Sequence, residues 1–343
     1  MSMNDMLPDS LLNLLAFCWR SDHPAIYSSN RALQSIDKHA LFNLRKANNL
    51  VEHWFLIYDT DGSWSVFDPY KNVWHTLPQM PFPPLTVSDD VTVMCVEADL
   101  LFCVYNGGSN FINKFELVTN NWSPSAGMTV SRNLYGWAVA GNLALVAGGA
   151  DSNTKPLAAA DMYDFDTAFV DNKFYVFGGE GETGNFFTSA ELYDIGSKKW
   201  SVVENFLPEN LAMASKSITV ANGNIYLATA STDPDGEVLM YDRTFGEWVF
   251  KGLFPYDLVR KTMDCKLSVY RPAREQSVDR LVFIGTRMDP PTGQMATEIY
   301  AAEPVEPLEW QLLGSKTGWF APKTGLDGYY IRSILPWNQQ RWR

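Results

Sequence analysis

The sequence is poor in the residues that build disulfide frameworks and metal centres. Its 343 residues include only four cysteines and four histidines. The cysteines follow no C-x-x-C spacing, which is typical of reduced thiols in an intracellular protein: Cys18, Cys95, Cys103 and Cys265. All four histidines lie between His23 and His75, so the rest of the chain lacks this ligand. We therefore expect no metal site and no metal cofactor.

Positive charge and long apolar runs are also scarce. The chain has 27 Lys and Arg against 39 Asp and Glu, a net charge of −12. This balance argues against nucleic acid and against anionic membrane surfaces as partners. The apolar stretch over residues 11–19 is too short to span a bilayer, and it follows Asp5 and Asp9 rather than basic residues. We expect a protein of the cytoplasm, the nucleus or both.

What the chain does have is a repeat. An aromatic residue precedes a tryptophan by seven positions four times: Phe67 and Trp74, Phe115 and Trp122, Tyr193 and Trp200, Tyr241 and Trp248. Tyr300 and Trp310 form a looser fifth pair. Glycine pairs lie upstream of the aromatic positions: Gly107-Gly108, Gly148-Gly149 and Gly178-Gly179. The tryptophans repeat every 48 residues from Trp74 to Trp122 and from Trp200 to Trp248. A period of about 50 residues together with a glycine pair resembles the kelch blade, four antiparallel strands arranged around a channel.

The repeat predicts an all-β, six-bladed kelch propeller. The first unit holds Trp54 to Trp74, and the other five cover residues 91–128, 134–165, 169–204, 217–252 and 266–313. The first unit lacks an innermost strand, and we expect residues 328–335 to supply it. Trp122 and Trp200 stand closer than two periods, which indicates that about 18 residues are missing between the third and fourth units. We expect this shortage to remove the outer strand of the third unit and the inner strand of the fourth.

The first fifty residues do not follow the repeat. Leucines at positions 11, 12, 14 and 15 and Cys18 recur at helical spacing, and Asp22 and Asp37 can cap two further helices. Three short helices in this length bury little surface alone, so they must pack together and against a partner.

Particular residues in this segment resemble a known family. Leu7-Pro8, Leu11-Leu12 and Leu14-Leu15 resemble the start of an F-box, and residues 20–23 and 41–46 are similar to land-plant F-box/kelch-repeat proteins. Residues 308–313 are similar to the final blade of that family. The resemblance implies an F-box over residues 1–50 and a propeller over residues 51–338.

The resemblance also implies partners. In that family the F-box docks onto a Skp-type linker within a ubiquitin ligase built on a cullin scaffold, and the propeller binds a target protein. The residues expected to form the linker-docking surface or its support are Leu7, Pro8, Leu11, Leu12, Leu15 and Ile36.

Two other functions stay open. The chain could be a kelch interaction scaffold without a ligase link, its helices merely a cap on the propeller, or more distantly a propeller enzyme acting on sugars. We identify no catalytic residues. Residues 179–184 match G-x-G-x-x-G, but a strand pattern follows where nucleotide binding needs a helix, so we expect no cofactor.

The target surface is expected on loops at one rim of the channel. The candidate residues there are Arg132, Tyr135, Glu180, Glu182, Asp233, Asp235 and Arg287. An acidic propeller favours a basic segment of the target.

Overall fold

The structure is a computed structural model. It describes residues 8–18, 22–29, 31–48, 50, 52–58, 63–80, 90–96, 99–106, 109–125, 128, 130–132, 135–140, 143–147, 149–150, 163–180, 185–212, 216–229, 236–255, 266–272, 278–288 and 295–318.

Short helices fold the N-terminal segment: α1 (Pro8–Ala16), α2 (His23–Ser29), α3 (Arg31–Gln34) and α4 (Lys38–Ala47). The second helix predicted from the sequence is thus divided into α2 and α3. Asp37 caps α4 as predicted, because its carboxylate accepts hydrogen bonds from the backbone N–H groups of His39 and Ala40 at 2.9 and 3.2 Å. No helix in the described ranges is long and apolar enough to cross a membrane.

Antiparallel sheets follow in chain order. The first blade has three strands, β1 (Phe55–Tyr58), β2 (Trp64–Asp68) and β3 (Val73–Thr76). The second has β4 (Asp90–Val96), β5 (Asp99–Asn106), β6 (Ser109–Glu116) and β7 (Asn121–Pro124). A two-stranded sheet comes next, β8 (Gly136–Ala140) and β9 (Leu143–Ala147).

Three four-stranded blades complete the described chain. The third blade is β10 (Tyr163–Val170), β11 (Lys173–Glu180), β12 (Ala190–Asp194) and β13 (Lys199–Val203). A short helix, α5 (Glu209–Ala212), precedes the fourth blade, β14 (Lys216–Ala221), β15 (Asn224–Thr229), β16 (Glu237–Asp242) and β17 (Glu247–Leu253). The fifth blade is β18 (Lys266–Tyr270), β19 (Arg280–Met288), β20 (Met295–Ala302) and β21 (Gln311–Gly318).

The prediction of an all-β kelch-type propeller is confirmed, but the prediction of six blades is wrong. The described residues form five blades, and within them the unit predicted over residues 134–165 contributes the two-stranded sheet β8–β9, while its last three residues already belong to β10. The fourth unit did not lose its inner strand either, since β10 pairs with β11 from Val170 and Lys173 to Tyr163 and Glu180. Within the described residues, the strands that are lacking therefore form the outer half of one unit. Since β8 lies beside both β4 and β10, the inner strands stay in contact there.

The four aromatic–tryptophan pairs with seven-residue spacing are cross-strand partners. Each of the four seven-residue pairs stands in direct register across a tight hairpin. In chain order, the ring centroids of the four pairs lie 4.8, 4.9, 5.1 and 5.3 Å apart, which is the range of a direct aromatic contact. The first, second and fourth of these pairs pack against the preceding blade, so the repeat positions its aromatics at the joints between blades.

Three tryptophans also hydrogen bond across these joints. The indole N–H of Trp122 donates to the backbone carbonyl of Pro78 at 3.0 Å. In the same way, Trp248 donates to the carbonyl of Phe206 at 2.7 Å, and Trp310 donates to the carbonyl of Leu253 at 2.8 Å. Each acceptor lies at or just after the outer strand of the preceding blade. The C-terminal end of one blade is thus joined by a hydrogen bond to the outer strand of the next blade.

The fifth and first blades pack face to face. Phe55 and Phe67 of the first blade share a buried cluster with Tyr270, Ile284 and Ile299 of the fifth. Gly314 lies directly against Phe67, where an added Cβ would stand 2.3 Å from the ring atom Cζ. No side chain fits between these two blades at that point.

Candidate functional site

The N-terminal helices form a small core of their own. Leu11 and Leu15 of α1 are buried against residues of the other helices, among them Tyr27, Leu33 and Leu41. Of the residues expected at the linker-docking surface, these two therefore support α1 from inside. Leu12 and Ile36 are half-buried at the edge of this core, whereas Leu7 and the side chain of Pro8 lie outside the described residues.

The exposed apolar face of α1 is formed by other residues. Leu14 is 52% exposed, and Phe17, just past the end of the helix, is 56% exposed. Neither residue is among those predicted from the sequence to form the docking surface. The spacing of the leucines is compatible with several inward faces, and only packing against the other helices shows which leucine points outward.

Arg45 fixes α1 to the chain that enters the first blade. Its Nη1 donates to the carbonyls of Ala16 and Cys18 at 2.7 and 2.6 Å, and its Nη2 donates to Glu52 Oε1 at 2.6 Å. Both charged side chains are buried. The carbonyls at a helix C-terminus need donors and favour a cation, and Arg45 supplies both. The orientation of α1 is therefore coupled to the start of the propeller.

Two further side-chain contacts attach the helices to the hairpins of the propeller. His39 Nε2 lies 3.0 Å from Glu116 Oε1 at the end of β6, and Lys71 Nζ lies 3.2 Å from Asp22. The Thr119 hydroxyl donates to Glu116 at 2.6 Å, and this bond, with a smaller contribution from His39, lowers the pKa of the Glu116 carboxyl. These contacts locate the helical segment over the first and second blades.

A buried polar cluster continues from the same region toward the fifth blade. The Tyr70 hydroxyl accepts from His53 N at 3.0 Å and donates to the Arg271 carbonyl at 2.8 Å. Burial raises the pKa of Tyr70 well above its ordinary value, so the group is a neutral hydroxyl. Arg271 Nε donates in turn to Asp279 at 2.8 Å, and Asp279 accepts from the backbone N–H of Asn222 in the fourth blade at 3.1 Å. The first, fifth and fourth blades are thereby linked.

Strand direction gives the propeller two different faces. The turn face carries the tight turns at residues 69–72, 117–120, 171–172 and 222–223, and the helical segment contacts it through Lys71 and Glu116. The loop face lies at the other strand ends, where β5, β11, β15 and β19 finish. Because successive strands are antiparallel, the two faces lie a strand length apart.

The predicted rim residues that the structure describes lie toward the loop face. Arg132 and Tyr135 immediately precede β8, Glu180 ends β11, and Arg287 is next to the last residue of β19. Burial lowers the pKa of the Arg132 guanidinium. The side chains of Glu180 and Arg287 are outside the described part of the chain, as are Glu182, Asp233 and Asp235.

Among the described residues, no group of three or more His, Cys, Asp or Glu side chains could hold a metal ion.

Of the glycines expected to shape the repeat, Gly149, Gly178 and Gly179 have positive φ angles of 84°, 76° and 90°, a backbone conformation that favours glycine. Gly148 is outside the described residues.

These features define a kelch-type β-propeller preceded by a small helical bundle. The kelch motif family matches residues 163–207, which begin with β10 and run just past β13. The solved structure of YjhT is similar in fold, with a TM-score of 0.51 and 12% identity over 76% of this chain and 97% of that one.

Sequence relatives carry both parts. F-box/kelch-repeat protein At1g26930 of Arabidopsis thaliana is 28% identical over 90% of this chain and 78% of its own length. F-box/kelch-repeat protein SKIP11 of the same plant is 31% identical over 74% of this chain and 60% of its own length. The chain is a homologue of the Arabidopsis F-box/kelch-repeat proteins, which confirms the resemblance drawn from its sequence.

Proposed function

We propose that this protein is a substrate-recognition adaptor of a cullin-based ubiquitin ligase. Its helical segment would dock a Skp-type linker, and its propeller would bind the protein to be modified. The chain would supply no catalytic group, since it acts by holding the target near a ubiquitin-charged enzyme. The names of its homologues support this assignment, and we expect it to act in the cytoplasm or nucleus.

The observation that carries the proposal is the separation of two surfaces. The helical segment contacts the turn face, while the rim candidates lie toward the loop face. An adaptor must engage the ligase and the target at once, so its two binding surfaces must not overlap. The buried Arg45–Glu52 pair would keep the linker and the target in a set relative orientation.

The exposed part of α1 is the proposed centre of the linker contact. Leu14 and Phe17 would enter the linker, with Leu12, Ile36, Leu7 and Pro8 around them, while Leu11 and Leu15 hold the helix from inside. Exposed apolar patches on a small domain mark interaction surfaces.

The test is co-purification with a plant Skp-type linker. The variant Leu14→Asp, Phe17→Asp should fold and lose the linker, because both side chains are exposed. Phe245→Asp is the matched control, since this phenylalanine is 77% exposed on the fourth blade. If the double variant still binds the linker, or if the folded wild type does not bind it, the proposed docking is refuted. The alternative function, a kelch interaction scaffold without a ligase link, then remains.

We also propose that the propeller domain extends to residue 338. In the described chain the first blade has three strands where the others have four, and β1 has a free inner edge. Residues 328–335 lie outside the described residues, but they are rich in the aromatic and β-branched side chains that favour strands, and they would add to this edge. A chain ending at Gly318 should then unfold at a lower urea concentration than the full chain. Equal midpoints would refute the extension without affecting the linker test.

A further inference from the structure

The kelch tryptophan of the third blade is uncovered. Trp200 is 52% exposed, and in the described chain its indole N–H has no acceptor. Its counterparts Trp122, Trp248 and Trp310 each donate to the exit of the preceding blade. The sheet that precedes Trp200 is β8–β9, whose unit has no outer strands in the described residues. The exposure of Trp200 follows from that missing half.

A carboxylate lies on the same uncovered surface. Glu191 stands opposite Val202, two residues along the ladder from the pair of Tyr193 and Trp200, so these side chains share one face of the sheet. Val202 is exposed as well. Glu191 makes no hydrogen bond or ion pair with any described residue, and partial burial raises the pKa of its carboxyl.

The equivalent position is covered in every other blade. Counting two residues back from the repeat aromatic gives Ser65, Asn113, Leu239 and Glu298, none of which is more than 8% exposed. Glu191 is only half-buried. This position of the third blade is thus left uncovered by the described chain, whereas it is covered in the other blades.

The first blade shows what such a neighbour contributes. There Ser65 and Trp74 occupy the positions of Glu191 and Trp200. Lys316, on the outer strand β21 of the preceding blade, donates from Nζ to Ser65 Oγ at 2.7 Å and lies 5.5 Å above the centre of the Trp74 ring. A lysine ammonium is therefore already held by this pair of positions within the same molecule, by a hydrogen bond and a cation–π contact.

We propose that Glu191 and Trp200 bind a lysine side chain carried on an extended segment of a partner protein. The segment would lie where the outer strand of the preceding blade is missing, as β21 lies beside the first blade. Glu191 in place of Ser65 adds a negative charge, and this complements the ammonium group. A second copy cannot supply the lysine from its own β21, because Lys316 is engaged within its ring. The inference does not depend on linker docking.

The test uses a peptide copied from residues 311–318, which contains the lysine in its native strand sequence. A matched peptide has glutamate in place of that lysine. Binding is followed by the tryptophan indole N–H signals in a two-dimensional NMR spectrum, with the Trp200 signal assigned by Trp200→Phe. The lysine peptide should shift the Trp200 signal saturably, while the Trp74 signal, already covered by Lys316, stays in place.

Variants then separate the two contacts. Glu191→Gln should weaken binding about two- to five-fold, the range of a partly exposed ion pair, and Glu191→Lys should abolish it. Both positions are partly exposed, so unchanged signals from the other tryptophans will report an intact fold. Equal shifts with the glutamate peptide, no shift at millimolar peptide, or wild-type affinity in Glu191→Gln would each overturn the proposal.

Discussion

Replacing Gly314 with alanine tests the joint between the fifth and first blades. The new Cβ would lie 2.3 Å from Phe67 Cζ and 2.8 and 2.9 Å from the two adjacent ring carbons. Ordinary carbon contacts are about 3.5–4.0 Å, so the ring or strand β21 must move by more than about 1 Å. The ring cannot retreat freely because Phe67 is fully buried, with Trp74 centred 4.8 Å away. Overpacking of this kind costs about 1–3 kcal/mol.

The assay is equilibrium unfolding in urea, compared with Gly196→Ala. Gly196 is exposed in a turn, and its nearest neighbour would be Asp194 Oδ1 at 3.3 Å, so this control should change stability by less than about 0.5 kcal/mol. In the Gly314→Ala background, Phe67→Leu removes the clashing ring atoms. The double variant should therefore lose less than the sum of the single losses, by about 0.5–3 kcal/mol. Wild-type stability of Gly314→Ala, or strict additivity, would refute the packing described for this joint.

Three other predictions use the same unfolding assay. Trp122→Phe leaves the Pro78 carbonyl without its hydrogen-bond donor, so it should lower the free energy of unfolding by about 1–3 kcal/mol. Trp200→Phe should lower it by less than about 0.5 kcal/mol. Equal losses would contradict the difference described for these two tryptophans. Arg45→Met leaves Glu52 buried without its cation and should cost about 3–5 kcal/mol, partly recovered by adding Glu52→Met; a negligible loss would show that the pair does not hold α1. The pKa of the Glu116 carboxyl is lowered in the folded protein, mainly by the hydrogen bond from Thr119. The ionised Glu116 carboxylate therefore contributes fully to stability above its ordinary pKa of 4.5, and this contribution is lost as the pH falls through the lower folded pKa. Glu116→Gln should therefore differ from wild type at neutral pH and converge with it in acid, and a pH-independent difference would be contrary to expectation.

The sequence predicted the blades where the signal was local. A seven-residue gap places an aromatic residue and a tryptophan across one tight hairpin, and four pairs stand in that register. The looser fifth pair fits a different geometry. A register shift next to Tyr300 places it opposite Leu312, and Trp310 instead packs on Phe283 at 5.8 Å.

The blade count was wrong because strand pairing is not a local property. Tyr163 resembles the repeat aromatic of the third unit, and the sequence around it is compatible with an outer or an inner strand. Its partner, Glu180 in β11, is chosen by the surrounding sheet. The neighbours of β8, the strands β4 and β10, likewise belong to separate parts of the chain.

The candidate site was predictable in kind but not in detail. The leucine pattern indicated helices at residues 7–50, yet it could not distinguish the buried Leu11 and Leu15 from the exposed Leu14. Nor does the sequence reveal that Glu191 and Trp200 share an uncovered surface, because that depends on the neighbouring sheet, which has only two strands in the described part of the chain.

Hydrogen–deuterium exchange of the full chain, with and without a Skp-type linker, shows whether the helical segment is the surface that docks the linker. We expect the linker to slow exchange in peptides covering residues 8–18 and 22–48 and to leave the strand ends at the loop face unchanged. Protection at the loop face with none in the helices, or no protection anywhere at saturating linker, would contradict the adaptor assignment.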